Sequence, residues 1–404
     1  MNPERVVRKI IADVSRKGDR ALFAYTKKFD HFSATSKNIE VSRQERRDAW
    51  RKLDRQTIHA LKRAADRIRG FHSRQKNVSW MTKKGGIELG LRWTPLERVG
   101  IYVPGGRAVY PSTVLMNAIP AKIAGVSEII MTTPCPGGKS HPALLVAADL
   151  AGVDRIFKVG GAQAIAALAY GTKSVPRVDK IVGPGNQFVA EAKRQIFGKV
   201  AIDMIAGPTE LVVVADDSAN PSWIAADLIS QAEHDPEARP ILISPSSKLI
   251  KRVAKEVAKQ ISQIPRRRIA EAAFWNHGEK IKVKNLDEAC ERANGIAPEH
   301  LELSVRNPKR WLRKIRHAGA IFLGPCSPVA LGDYAAGPNH VLPTGGTARF
   351  SSPLGVYDFM KGSSVIEATK KGLYRLAPVI TQIARIEGLT AHAESVLARF
   401  QKMG

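Results

Sequence analysis

The sequence has no apolar run near the ~20 residues that a membrane-spanning helix requires, which excludes a helical integral membrane protein. Its opening residues, MNPERVVRKI, put charge where a secretory leader would carry its apolar stretch, so export by that route is not expected. Cysteine is scarce. Cys135, Cys290 and Cys326 are odd in number, far apart and without a CxxC pair, which excludes a disulfide scaffold and fits a reducing, cytoplasmic setting. Low-complexity tracts and short-period repeats are missing too. Acidic residues are few for the length, 37 Asp and Glu against 63 Lys and Arg, which leaves a net charge of +26.

What is present is a globular composition, 44% hydrophobic and 25% charged over 404 residues, enough for about two to three folding units. The positive charge is concentrated early: residues 1–90 carry 23 Lys and Arg against 10 Asp and Glu. Within them, RQERRDAWRKLDRQTIHALKRAADRIRGF spaces Trp50, Leu53, Leu61, Ala64, Ala65 and Ile68 at three to four residues, which predicts one long amphipathic helix with a solvated basic face. Zinc-finger spacing, an aromatic-basic RNA-binding pattern and a helix-turn-helix are all lacking, so nucleic acid is not the expected partner despite the charge.

The pattern before residue 95 reads as helical, with Val6, Val7, Ile10, Ile11 and Val14 on one face and a break at Gly18-Asp19. From residue 100 short apolar runs (100–104, 128–134, 155–161, 180–185) alternate with helix-like stretches, and the rhythm restarts at LVVVAD (211–216) and PILISP (240–245). Such alternation predicts an α/β fold of two related parallel-sheet units. The Gly-, Pro- and Ser-rich region 325–365 reads as a function-bearing loop, and the last forty residues as helix.

Seven segments, in five groups, could carry chemistry. KIVGPGNQF places a Gly-rich turn between a strand and a helix, where backbone N–H groups can approach a phosphate, but it lacks the third glycine of the dinucleotide fingerprint. YVPGGRAVYPS and KVGGAQAIA add two more such turns, consistent with a cofactor cleft. In DLISQAEHDP, Gln231 and His234 fall on one side of a helical turn, as two metal ligands or as a helix-end histidine with no such role. IAPEHLEL sets Glu299 beside His300, an acid–base pair or a surface turn into a strand. Asp333 and His340 stand in a loop punctuated by Gly and Pro, and Glu387 and His392 lie five apart near the end. The other histidines, at 31, 59, 72, 141, 277 and 317, read as surface.

Taken in order, GIYVPGG, VGGAQAIAALAYGT, VGPGNQFVAEAKRQ, IDMIAGPTE, DLISQAEHDP, APEHL and GDYAAGPNHVLPTGG resemble the histidinol dehydrogenase family over nearly the whole chain. The resemblance implies two Rossmann-like α/β units with helical N- and C-terminal segments, in an aldehyde-dehydrogenase-like architecture. Its expected parts are a helical segment 1–95, an NAD-side unit 96–207, a second unit 208–345 with the zinc and acid–base residues, and a C-terminal arm 346–404. It implies a four-electron oxidation of L-histidinol to L-histidine through the aldehyde, with NAD+ and one Zn2+ per subunit. The zinc ligands would be Gln231, His234, Asp333 and His392, and the acid–base pair Glu299 and His300. Substrate contacts would come from Thr209, Gln231, His234, His300, Asp333, Glu387 and His392, and NAD contacts from Tyr102, Gln163 and Asn186. His340 belongs to the family pattern without a ligand role. A homodimer whose C-terminal segment crosses to the partner is also implied. Two departures stand out: Thr209 where many relatives have Ser, and a start near the first family helix without the extension many relatives carry. The alternative is a sister enzyme with the same zinc and NAD but a polyol or sulfonated alcohol as substrate.

Overall fold

A computed structural model describes residues 2–105 and 109–401. Contacts divide the chain into two units, Met1–Gln75 with Leu96–Phe359, and Lys76–Pro95 with Met360–Gly404. Strands β1 (Trp80–Lys84) and β2 (Ile87–Pro95) come first. Then follow β3 (Arg98–Tyr102), β4 (Glu128–Thr133), β5 (Arg155–Lys158), β6 (Lys180–Val182) and β7 (Ala201–Ile202). A second group is β8 (Glu210–Ala215), β9 (Arg239–Ser244), β10 (Glu279–Lys282), β11 (His300–Ser304) and β12 (Ala320–Leu323), with β13 (Met360–Ala368) last.

The larger unit holds two five-stranded parallel sheets, β5-β4-β3-β6-β7 and β10-β9-β8-β11-β12. Both follow one plan: the first strand is central, the next two extend one side, and the chain then crosses to the other. That is the doubly wound order, with a switch point beside the first strand. Every residue of β8 and of β11 is buried, as expected for parallel strands covered by helices on both faces. This agrees with the α/β reading of the sequence. The N-terminal helix Pro3–Lys17, capped by Asn2, buries Val7, Ile10, Ile11 and Val14 in the core of the first sheet, and Gly18 separates it from helix Asp19–Asp30.

The smaller unit pairs β1, β2 and β13 in an antiparallel sheet and carries helices Lys370–Ile386 and Thr390–Leu397. Contacts thus group the chain differently from the four consecutive segments drawn on the sequence, because β2 pairs along its length with β13, far away in the chain.

Three local expectations change. The long helix is two, Arg43–Lys52 and Arg55–His72, because Leu53 turns extended and the Asp54 carboxylate accepts the Thr57 N–H at 2.8 Å as a cap. Residues before 95 are not all helical: Gly85 and Gly86, at φ 61° and 83°, form the tight turn of the β1–β2 hairpin. The region 325–365 is not loop throughout, since it includes helix Val329–Tyr334 and the start of β13.

Candidate active site

At the C-terminal end of the first sheet, the switch point lies between β3 and β6. Gly183, at φ 109°, follows β6 so closely against β3 that a Cβ there would stand 2.2 Å from the Tyr102 carbonyl oxygen. Its N–H donates to Asp203 Oδ2 (2.7 Å) and its carbonyl accepts from Lys193 Nζ (3.0 Å), and Lys193 and Asp203 form a fully buried ion pair. Around this anchored turn stand the three expected cofactor residues. Tyr102 closes β3, and its hydroxyl accepts the Gly161 N–H at 3.1 Å. Gln163 lies in the first turn of helix Gly161–Tyr170, 1% exposed, and neither its amide oxygen nor its amide nitrogen has a partner. Asn186 caps helix Gln187–Ile196, accepting from the Phe188 and Val189 N–H groups. The third Gly-rich turn, in YVPGGRAVYPS, falls partly on residues 106–108, outside the described residues.

The second sheet is used at its other end. β8 and β11 are parallel neighbours in register His300 with Leu211, so the residues just ahead of them meet although ninety positions separate them. Glu299 Oε2 accepts from Thr209 Oγ1 at 2.6 Å and from the Glu210 N–H at 3.1 Å. Thr209 Oγ1 is also 3.1 Å from Gln231 Oε1. His300 Nδ1 donates to the Glu210 carbonyl at 3.2 Å, which fixes the neutral tautomer and leaves Nε2 without a hydrogen-bond partner, 3.6 Å from Asp333 Oδ1. The turn into this strand is strained: Ala297, fully buried, sits at φ 52°.

The electrostatics follow from this packing. Burial raises the Glu299 carboxyl above the usual range, against the pull of His300 and the Thr209 hydroxyl. Burial opposes charge on His300, yet Glu299 and Asp333 outweigh it and push the ring up to about 9. Burial would raise Asp333 as well, but His300 holds it below its ordinary value. His234 is solvent-accessible and still lowered by desolvation, the combination expected of a side chain in a concavity. Asp333 stands in helix Val329–Tyr334 and not in the loop expected from the sequence, and His340, also lowered by burial, donates Nδ1–H to its carbonyl at 2.9 Å and so braces the end of that helix. A cavity of about 590 Å³ is lined by His300, Asp333, His340, Asn339, Phe322 and Tyr357 among others. A larger apolar groove of about 780 Å³, beside helix Ser247–Ile261, holds none of the residues singled out by sequence.

The larger unit therefore brings together Thr209, Gln231, Glu299, His300, His234 and Asp333. Glu387, which caps helix Lys370–Ile386, and His392, in helix Thr390–Leu397, belong to the smaller unit, and both are exposed. His234 departs from expectation in one respect: its helix ends at Ala232, so it is placed by the following turn and not by a helical face. His72 is no surface residue but fully buried, its Nδ1 2.6 Å from Gln75 Oε1. Sequence reasoning missed Glu210, whose backbone orients both Glu299 and His300; its place directly after Thr209 was the available signal. It missed Arg67 too, which donates to the carbonyl of Ala335 at 3.2 Å and so holds the C-terminal end of the helix that carries Asp333.

Among the described residues no three His, Cys, Asp or Glu side chains gather as a metal-binding group. The larger unit offers two, His234 and Asp333, with the Gln231 amide oxygen. Their protonation states suit a divalent cation, since a lowered imidazole is neutral and a lowered carboxyl is ionised. The unpartnered Gln163 amide likewise suits a polar group of a bound cofactor.

Comparison with known proteins is consistent along the whole chain. A family model described as histidinol dehydrogenase matches residues 2–400. Histidinol dehydrogenase of Cupriavidus pinatubonensis is 53% identical over 99% of this chain and 91% of its own length. That of Dechloromonas aromatica is 54% identical over 98% and 92%. The crystal structure of histidinol dehydrogenase from Elizabethkingia anophelis superposes with a TM-score of 0.95 at 39% identity, covering 99% of this chain and 92% of that one.

Proposed function

The chain belongs to the histidinol dehydrogenase family, and from that premise we propose that it oxidises L-histidinol to L-histidine in two steps through the aldehyde. In balance, one alcohol and one water yield one carboxylate, two hydrides pass to two NAD+, and three protons are released. NAD+ when bound supplies the hydride acceptor, and zinc when bound supplies a Lewis-acidic anchor for the amino alcohol. Tyr102, Gln163 and Asn186 would hold the nucleotide at the first sheet. Gln231, His234 and Asp333 would hold the metal, with His392 as fourth ligand.

The observation that carries the reading is the edge formed by Thr209, Glu299 and His300. With its Nδ1 proton committed to a carbonyl, His300 exchanges the hydroxyl proton at Nε2, and because the ring is pushed up to about 9 the fraction able to act as base grows as pH rises toward that value. Glu299 is buried and raised, and it takes the proton of the water that adds to the aldehyde. Substrate contacts are assigned to Thr209, His300 and Glu387 together with the metal ligands, Glu387 meeting the cationic amino group.

A homodimer completes the assignment, with the C-terminal segment delivering Glu387 and His392 to the partner's site. The support is an apolar stripe on helix Lys370–Ile386: Leu376, Val379, Ile383 and Ile386, spaced three, four and three apart, are 43%, 55%, 51% and 76% exposed in the single chain. A cytoplasmic location is consistent with a biosynthetic role, and among the described residues no helix is long and apolar enough to cross a membrane. The test is NADH production from L-histidinol, before and after removal of metal by a chelator and after zinc is restored. Turnover lost and regained with zinc is expected; no NADH from histidinol at any metal loading overturns the assignment.

A further inference from the structure

The ion pair behind the first Gly-rich turn joins three elements. Gly183 directly follows β6, Asp203 directly follows β7, and Lys193 stands two turns along helix Gln187–Ile196 from the Asn186 cap. Asp203 is fixed by the sheet itself, its N–H donating to the Ile181 carbonyl at 3.2 Å. Its carboxylate meets three donors: Lys193 Nζ and the Met204 N–H (2.7 Å) at Oδ1, and the Gly183 N–H (2.7 Å) at Oδ2. Lys193 Nζ also donates to the Gly183 carbonyl at 3.0 Å. Both polar groups of Gly183 are therefore held by one ion pair, whose Lys and Asp side chains are 2% and 1% exposed.

Cohesion of the unit does not by itself call for charge here. The helix already packs Val189, Ala192 and Ile196 into the core of the first sheet, and exchanging a buried ion pair for apolar residues is often neutral or stabilising. What apolar residues cannot do is satisfy the N–H and C=O of Gly183, a position where the approach to the Tyr102 carbonyl leaves no room for a side chain. The turn 183–186 is thus fixed at its start by the pair and at its end by the Asn186 cap. We infer that Lys193 and Asp203 are positioning residues for the nucleotide: their ion pair fixes the turn 183–186, and with it Asn186 and its approach to Tyr102, in the conformation that receives NAD+. The positioning role rests on the assignment of NAD+ to the first sheet. An amide cannot replace the carboxylate, because the NH2 of Asp203→Asn must face either the Lys193 ammonium or a backbone N–H, donor against donor.

A clamp on the cofactor turn should separate cofactor from substrate. In the zinc-loaded full chain, Lys193→Met should weaken NADH binding, read by fluorescence titration, and raise KM for NAD+, each by about tenfold or more. Zinc per chain, and KM for L-histidinol at saturating NAD+, should stay within about twofold of wild type. Excess NAD+ should restore kcat, and alcohol and aldehyde should be affected alike, since both oxidations draw on NAD+. Lys193→Gln, which keeps a donor on a shorter stem, should fall between wild type and Lys193→Met, and Asp203→Asn should resemble Lys193→Met. Unchanged NADH affinity in Lys193→Met overturns the positioning role. So does an equal loss of zinc, histidinol and NADH affinity, which would mark the pair as a support of the fold alone. Should Lys193→Met not fold, Lys193→Gln decides by the same two outcomes. A wild-type chain that binds no NADH would refute the cofactor assignment itself, which unchanged affinity in the variants leaves intact.

Discussion

Replacing Thr209 by valine removes one hydroxyl and little volume, and its consequence can be worked from three contacts. A hydroxyl has one proton, and the 2.6 Å contact to Glu299 takes it in preference to the 3.1 Å contact to Gln231. Glu299 then keeps a single donor, the Glu210 N–H at 3.1 Å. A hydrogen bond to a charged group contributes ~1.5–3 kcal/mol. That bond favours the ionised carboxylate that serves as base, so its loss lets burial raise Glu299 further, and where pH lies below the raised value the ionised fraction, and with it aldehyde oxidation, falls by up to roughly 10- to 150-fold. The assay compares NADH formation from L-histidinol and from L-histidinaldehyde, because Glu299 is assigned to the second oxidation only. Thr209→Ser, which keeps the hydroxyl, should stay within about threefold of wild type on both, since only a methyl group is lost. Thr209→Val oxidising the aldehyde at the wild-type rate would refute the reasoning.

Further outcomes are expected. His234→Asn should lose tight zinc and most turnover, because an imidazole ligand is replaced by a poor one; full zinc retention by metal analysis would remove His234 from the ligand set. Mixing His392→Asn with Gln231→Ala subunits under exchange should restore about a quarter to a half of wild-type activity, since a mixed dimer owns one intact site; no recovery after proven exchange would place His392 in its own subunit's site. Gly183→Ala should destabilise the fold by about 3 kcal/mol or more, because the new Cβ meets the Tyr102 carbonyl oxygen at 2.2 Å, and denaturant melting of the variant checks this.

The sheets were legible where burial is continuous. The run LVVVAD needs no partner to read as an interior strand, and β8 occupies Glu210–Ala215. Helix ends were less so: the 43–72 pattern keeps its apolar period across Leu53-Asp54, and only the Asp54 cap shows the break. The β1–β2 hairpin was missed although Gly85-Gly86 marks its turn, since a helical rhythm on both sides masked a short exposed strand. In the site, Glu299 and His300 stood out as neighbours in sequence, and the family resemblance supplied their roles. What joins them to Thr209 is the pairing of β8 with β11, a long-range choice that no local pattern encodes.

Ala297 also bears on which sequences this scaffold can accept. A side chain bearing a Cβ, held left-handed and fully buried two residues ahead of Glu299, costs ~1–2 kcal/mol relative to an ordinary backbone. Glycine would relax the torsion but leave a methyl-sized void, whereas valine, isoleucine or threonine would add β-branching to a conformation that already crowds Cβ. The position is thereby confined to the smallest residues, and for a reason unrelated to contact with any ligand. A stabilising redesign that straightened this turn would re-aim the carboxylate it delivers, so thermostability and turnover are opposed at this one peptide.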